Sequence, residues 1–178
     1  MTETLDETLP DDVAELVEHV LRRACDDEQT IATAESCTGG LLASLLTDVE
    51  GYAHAFERGF VVYTERAKHE MLGVKLEDLE RYGAVSEPVA RAMAEGALRA
   101  GGVDLAVAVT GFAGPGAPGD EPGLVHFAVA RKGAETRHSE EHFGDIGRGG
   151  VRLECLRCSL KMLDHALRER PGPLGQAA

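Results

Sequence analysis

No run of the 178-residue chain approaches the roughly 20 consecutive apolar residues that a helix needs to cross a bilayer, which excludes a membrane span. The opening "MTETLDETLPDD" lacks the basic and apolar regions of a secretory signal, so the cytoplasm is the expected location. Positive charge is scarce: 18 Lys and Arg stand against 31 Asp and Glu, for a formal charge of −13. Such a field repels DNA, RNA and anionic membrane, whose capture needs a basic stripe. A small phosphorylated ligand stays within reach, because local donors and one arginine outweigh a distant field screened within about 10 Å. Cysteine is sparse as well. Cys155 and Cys158 form a C-x-x-C, but no second pair follows and the surrounding "VRLECLRCSLKMLDHAL" has helical apolar spacing, so no metal site is expected and two cysteines on a helix are. Cys25 and Cys37 stand alone, and in a reducing compartment all four thiols are expected free.

What remains is globular: 43% hydrophobic and 28% charged residues, enough chain for one domain with a core of its own. Residues 1–11 read as an acidic tail, 12–169 as the domain and 170–178 as a flexible tail. Val13, Leu16, Val17, Val20, Leu21 and Ala24 repeat at three and four, which predicts an amphipathic helix from about Asp11. "TIATA" reads as a strand running into "ESCTGG", with a helix from about Gly39 to Val49. "GFVVYT" reads as the next strand, after which Thr64 caps a helix that Gly73 ends. "LEDLERYG" is a short helix, and "SEPVARAMAEGALRAGG" a longer one capped by Ser86 and closed by Gly101 and Gly102. "VDLAVAVT" is a buried strand entering the Gly- and Pro-rich "GFAGPGAPGDEPG". "LVHFAVAR" and "ETRHSEEHF" read as adjacent strands, and a last helix runs from about Gly150 to Glu169. Helices alternating with nearly all-apolar strands predict a three-layer α/β/α sandwich whose sheet is mostly parallel, mixed where the late hairpin joins. Ligands bind such sheets beyond the carboxyl ends of the strands.

The stretch "TAESCTGG" puts three polar heads between a strand and a glycine pair. Phosphate binding, attack by a hydroxyl and a simple tight turn all suit that composition. Ser36 stands on a strand-to-helix turn, where a nucleophile would be exposed, and where a helix N-cap also belongs. It lacks the flanking glycines of G-x-S-x-G, and no histidine among His54, His69, His126, His138 and His142 is an evident base. Tyr63 and Lys68 in "VVYTERAK" could meet across a turn, an amine lowering the phenol's pKa or itself accepting a proton; equally, they could be a strand end and a solvated helix residue. Thr110 and Gly111, with Gly114-Pro115-Gly116, could offer backbone N–H groups to an anion, but no Lys-Ser or Lys-Thr completes a nucleotide-triphosphate loop. Arg148 in "GDIGRGGVR" reads as part of a flexible stretch whose fork could bind a phosphate or remain in water.

Together, "AESCTGGLLASLLTDV", "FERGFVVYTERAKHEMLGV", "YGAVSEPVARAMAEGAL", "DLAVAVTGFAGPG" and "GDIGRGGVR" resemble the C-terminal domain of the competence and damage-inducible protein CinA, over about residues 12–168. That family also occurs as a free-standing nicotinamide-nucleotide amidase. The resemblance implies hydrolysis of the carboxamide of nicotinamide mononucleotide to nicotinate mononucleotide and ammonia, without metal or cofactor, in a homodimer. It implies Ser36 as nucleophile, Tyr63 and Lys68 as the proton-handling pair, and Thr38, Gly39, Gly40, Thr110, Gly111 and Arg148 as substrate-binding residues, with N–H groups near Gly39 and Gly40 stabilising the oxyanion. Gly51-Tyr52-Ala53 replaces a serine pair of many relatives, "GPGAPGDEPGLV" is more acidic than their large loop, and "GDIGR" is longer than their "GDR"; all three are expected to border the pocket. A stand-alone amidase is the first hypothesis, since the nucleotide-pyrophosphatase-like domain of larger relatives has no counterpart here. A catalytically silent nucleotide- or partner-binding module of the same fold is the second.

Overall fold

The computed structural model describes residues 9–114 and 116–169. Most of the expected acidic tail and all of the expected C-terminal tail lie outside them. Six helices, α1 (Asp11–Asp26), α2 (Leu41–Thr47), α3 (Glu65–Leu72), α4 (Leu76–Tyr82), α5 (Glu87–Gly101) and α6 (Gly147–Arg168), cover both faces of a five-stranded sheet. Its strands are β1 (Ile31–Glu35), β2 (Phe56–Val61), β3 (Leu105–Gly111), β4 (Leu124–Arg131) and β5 (Arg137–His142), in the order β2-β1-β3-β4-β5. Pairing of β1 with β2 and β3 is parallel, and that of β4 with β3 and β5 antiparallel, so only β4 runs against the other four. This is the expected α/β sandwich with a mixed, mostly parallel sheet. Among the described residues no helix is long and apolar enough to cross a membrane.

Alternation along the strands gives the two faces different textures. One face presents Ile31, Leu105, Val107, Val109, Val125, Phe127 and Val129 to α1, α2 and α6. The other presents alanines (Ala32, Ala34, Ala106, Ala108, Ala128 and Ala130) to α5 and its neighbours. Small side chains let α5 sit close to the sheet, and Gly96 carries that closeness outward: a Cβ there would stand 2.1 Å from the Leu72 carbonyl of α3. The helix that bears Lys68 is therefore packed directly on α5.

Local signals explain most element boundaries. Thr64 caps α3, its hydroxyl accepting from the Ala67 N–H at 3.1 Å, and Gly73 ends it at φ 71. Ser86 occupies the N-cap position of α5, but its hydroxyl donates to the Gly83 carbonyl at 2.9 Å and makes no cap bond. Two elements are displaced from expectation. Strand β2 spans Phe56–Val61, earlier than "GFVVYT", because its register is set by β1: Glu35 pairs with Val61, the Val62 N–H closes the last rung on the Glu35 carbonyl at 2.8 Å, and β1 then ends. Tyr63 thus lies beyond the strand. Helix α6 begins at Gly147, so Arg148 belongs to its first turn and not to a flexible stretch.

The chain leaves β1 for its outer neighbour β2, then returns across the sheet to β3 on β1's other side. Strand order reverses there. The carboxyl ends of β1 and β3, carrying Ser36 and Thr110, flank that switch point, where doubly wound sheets bind ligands.

Candidate active site

Ser36 follows the last residue of β1 and is 7% exposed; its N–H is tied to the Val109 carbonyl at 3.0 Å, which fixes the turn to β3. Lys68, 1% exposed, reaches it from α3: Nζ donates to Ser36 Oγ at 3.0 Å, to the Val62 carbonyl at 3.0 Å and to the Tyr63 carbonyl at 3.5 Å. Burial pushes the Lys68 pKa down, partly offset by the charges of Cys37 and Glu65. Of the three oxygens around Nζ, two are carbonyls and can only accept. A neutral amine that gives its two N–H groups to them leaves its lone pair for the serine O–H. Both protonation states are therefore accommodated, and the proton that distinguishes them lies on the Ser36 side.

The phenol expected beside this pair is elsewhere. Tyr63 is 67% exposed, and among the described residues its hydroxyl has no hydrogen bond to Ser36 or Lys68; only its backbone carbonyl meets the amine. Tyr63 does line a cavity of about 110 Å³, together with Cys37, the residue after Ser36, and Gly111, Phe112, Ala113, Gly114, Gly116 and Arg148; Ser36 and Lys68 stand behind that lining. Larger depressions of about 410 and 490 Å³ lie against α1 and beside β5, away from the serine and lysine. Chemistry, not size, selects the smaller one.

Around the serine, the amides are shared out in a way the sequence reading missed. Glu35, fully buried, turns its carboxylate under the loop and accepts from the N–H groups of Gly40 (3.0 Å), Leu42 (3.0 Å) and Ala43 (2.7 Å) and from the Thr33 hydroxyl (3.2 Å). A carboxylate suits the positive end of α2. Gly40 adopts φ 96 to start that helix, which begins at Leu41 rather than Gly39. The Gly39 N–H bonds the Ser36 carbonyl at 3.2 Å. The amides of Gly39 and Gly40, near which the oxyanion donors are expected, are thus themselves engaged. Among the described residues the N–H groups of Cys37 and Thr38 have no hydrogen-bond acceptor in another residue, and the buried Thr38 hydroxyl has no partner either.

Thr110 is buried and its hydroxyl donates to the Ala84 carbonyl at 2.7 Å, which anchors the approach to α5 and leaves it with no free donor for a ligand. Gly111 ends β3 at the cavity wall. Helix α6 supplies two arginines one turn apart. Arg148 lies over the glycine loop, its Nη2 3.4 Å from where a Cβ on Gly114 would be, and Arg152, unremarked in the sequence, donates from Nε to the Cys37 carbonyl at 2.8 Å. The Cys37 thiol is drawn down by a hydrogen bond from Cys155, against burial and with help from its own N–H and the charges of Arg152 and Lys68, while the same partner and then burial push Cys155 up.

Other expectations fall outside this constellation. Tyr52, within the replaced serine-pair segment, packs against α1, where the Arg22 guanidinium lies 5.5 Å from its ring and the Cys25 thiol donates to its carbonyl at 3.4 Å, so that segment does not border the cavity. His126 and His138 pair through their ring nitrogens at 3.0 Å on β4 and β5, apart from the serine.

The model of the CinA C-terminal domain family matches residues 13–167. A CinA-like protein of Akkermansia muciniphila is 54% identical over 126 residues, which cover 70% of this chain and 30% of the relative. A protein of Enterobacter agglomerans named nicotinamide-nucleotide amidohydrolase PncC is 48% identical over 142 residues, covering 78% of this chain and 84% of that one. Among solved structures, the competence/damage inducible protein CihA of Agrobacterium tumefaciens superimposes with a TM-score of 0.85 at 44% identity, covering 90% of this chain and 98% of that one. A CinA superfamily protein of Escherichia coli gives 0.82 at 37% identity, covering 89% and 93%. The chain spans 30% or less of the length of the CinA-like relative from Akkermansia and of a competence-damage inducible relative from Symbiobacterium thermophilum, and most of the length of the PncC relative. The chain belongs to the CinA C-terminal domain family.

Proposed function

We propose that this protein is a serine–lysine amidohydrolase that deamidates nicotinamide mononucleotide to nicotinate mononucleotide and ammonia. The observation that carries the reading is the buried hydrogen bond of 3.0 Å between Lys68 Nζ and Ser36 Oγ, at the switch point of the sheet and beside a cavity. Its substrate follows the name of the Enterobacter relative, a nicotinamide-nucleotide amidohydrolase, and suits a cavity lined by both Cys37, the residue after Ser36, and Arg148. At about 110 Å³ the cavity accepts the pyridine carboxamide alone; ribose and phosphate would lie outside it, within reach of Arg148.

In this mechanism neutral Lys68 takes the Ser36 proton as Oγ bonds to the carboxamide carbon. The carbonyl oxygen becomes an oxyanion facing the Cys37 and Thr38 amides, which give no hydrogen bond to another residue, a placement in which each good donor contributes about 3–4 kcal/mol. The Lys68 ammonium returns the proton to the departing nitrogen, the C–N bond breaks and ammonia leaves. Water, deprotonated by the same amine, then attacks the Ser36 ester and regenerates the hydroxyl. Arg148 supplies the charge for the nucleotide phosphate, and Tyr63 a wall of the cavity mouth.

The test is ammonia release from nicotinamide mononucleotide, read with binding of the same nucleotide. Turnover that needs Ser36 is expected. Binding without turnover in the wild type selects the silent module, and neither binding nor turnover across small amides removes the reading.

A further inference from the structure

The loop that carries Ser36 is clamped on two sides. From beneath, Glu35 takes the amides of Gly40, Leu42 and Ala43; from α6, the Arg152 Nε holds the Cys37 carbonyl at 2.8 Å while its Nη2 lies 3.6 Å from where a Cβ on Gly39 would be. The first clamp fixes the helix start. The second fixes one peptide plane.

No peptide bond among the described residues is cis. In a planar trans peptide the C=O of one residue and the N–H of the next point to opposite edges. Drawing the Cys37 carbonyl toward α6 therefore turns the Thr38 N–H away from α6. Apart from that of Cys37, the neighbouring amides are engaged: Ser36 bonds the Val109 carbonyl, Gly39 the Ser36 carbonyl and Leu41 the Thr38 carbonyl, and Glu35 takes those of Gly40, Leu42 and Ala43. Thr38 N–H is left facing the other way with no acceptor among the described residues.

We infer that Arg152 is a positioning residue for amide hydrolysis: its bond to the Cys37 carbonyl sets the Cys37–Thr38 peptide so that the Thr38 N–H, beside that of Cys37, is presented to the oxyanion formed at Ser36. The inference rests on the amidohydrolase reading above. Arg152 touches no reacting atom. It acts through the peptide, as Arg148, one helical turn earlier and lining the cavity, does not. Arginine suits the task because its planar fork holds one direction at Nε while Nη2 packs by Gly39; a lysine would keep the donor and lose the orientation.

Kinetics of Arg152→Met, Arg152→Lys and wild type on nicotinamide mononucleotide and on nicotinamide riboside, which lacks the phosphate, test this. Loss of an aligned oxyanion donor lowers kcat by about 10²-fold or more. Expected for Arg152→Met is a fall in kcat of about 10²-fold with KM within about threefold, the same ratio on both substrates, and partial rescue by lysine. A rise in KM with kcat kept, or a penalty that vanishes on the riboside, makes Arg152 a phosphate ligand and overturns the inference; so does unchanged kcat. Should the wild type release no ammonia, the amidohydrolase reading fails, and amide NMR spectra of wild type and Arg152→Gln decide the positioning claim by themselves. A large shift of the Thr38 amide resonance, with remote resonances unmoved, supports it, and an unmoved Thr38 resonance refutes it.

Discussion

Ser36 and Lys68, 32 residues apart in the chain, meet with Oγ and Nζ 3.0 Å apart, and the amine's other two neighbours are carbonyl oxygens. Burial holds the native Lys68 pKa below its ordinary 10.5. Activity that needs the free amine should therefore rise with pH to a plateau, with its inflection below 10.5. Stability follows the same sign: between the native value and 10.5 the unfolded lysine keeps its proton and the native one has lost it, so unfolding takes up protons and stability rises with pH. Below that window the native ammonium bears its full burial penalty. Denaturant titrations from pH 7 to 10, with Lys68→Met as the control whose slope in this window is flatter, check both the sign and its source.

Glu35 collects three amide donors and a hydroxyl in the interior. Glu35→Ala strands those donors and should cost about 3 kcal/mol, with Glu35→Gln milder because one acceptor oxygen remains. Chemical denaturation measures it. A loss under about 1 kcal/mol would mean that the α2 amides find other partners and that the clamp is not what shapes the loop.

Tyr63 offers Lys68 its carbonyl and the solvent its ring. Tyr63→Phe is expected to keep kcat within about tenfold of wild type, against the 10²–10⁴-fold that a proton-transfer group contributes. Tyr63→Ala, which removes a cavity wall, should raise KM more than it lowers kcat. If Tyr63→Phe instead matches Lys68→Met, the phenol moves onto the reacting atoms during turnover.

Gly96 lets α5 touch the α3 carbonyl of Leu72, four residues beyond Lys68. Gly96→Ala must push the two helices apart, at a cost of about 1–3 kcal/mol, and displace the amine from Ser36. Thermal unfolding and turnover should fall together, although the substitution lies outside the cavity. Lost stability with unimpaired turnover would show that α3 relaxes without moving Lys68.

The sequence discloses elements whose causes are local. Thr64 and Gly73 bracket α3, the spacing of Val13, Val17, Val20 and Leu21 marks α1, and the unbroken apolar run of β3 marks a buried strand. Spacing alone allows Tyr63 and Lys68 to meet across a turn and sets Ser36 on a strand-to-helix turn; the structure joins the serine and the amine, and turns the phenol out. That outcome hinges on the β1–β2 register, which is set between strands and is invisible in "GFVVYT" itself. Glu35 reads like any strand residue, because its carboxylate becomes a cap for three amide donors only once α2 lies over β1. Arg152 reaches across 115 residues to the Cys37 carbonyl. Nothing in "GGVR" announces such a contact, whereas Arg148 was legible as a cation in a glycine-rich stretch and needed only its place on α6 corrected.

The most direct test of the account is a double-mutant cycle on turnover of nicotinamide mononucleotide, with Ser36→Ala, Lys68→Met and the two combined, each shown folded by its circular dichroism. A nucleophile and its base act as one unit, so each single change should lower kcat by at least about 10³-fold and the double change should lower it no further. Losses that simply multiply, or an alanine variant that still deamidates at the wild-type rate, would contradict it.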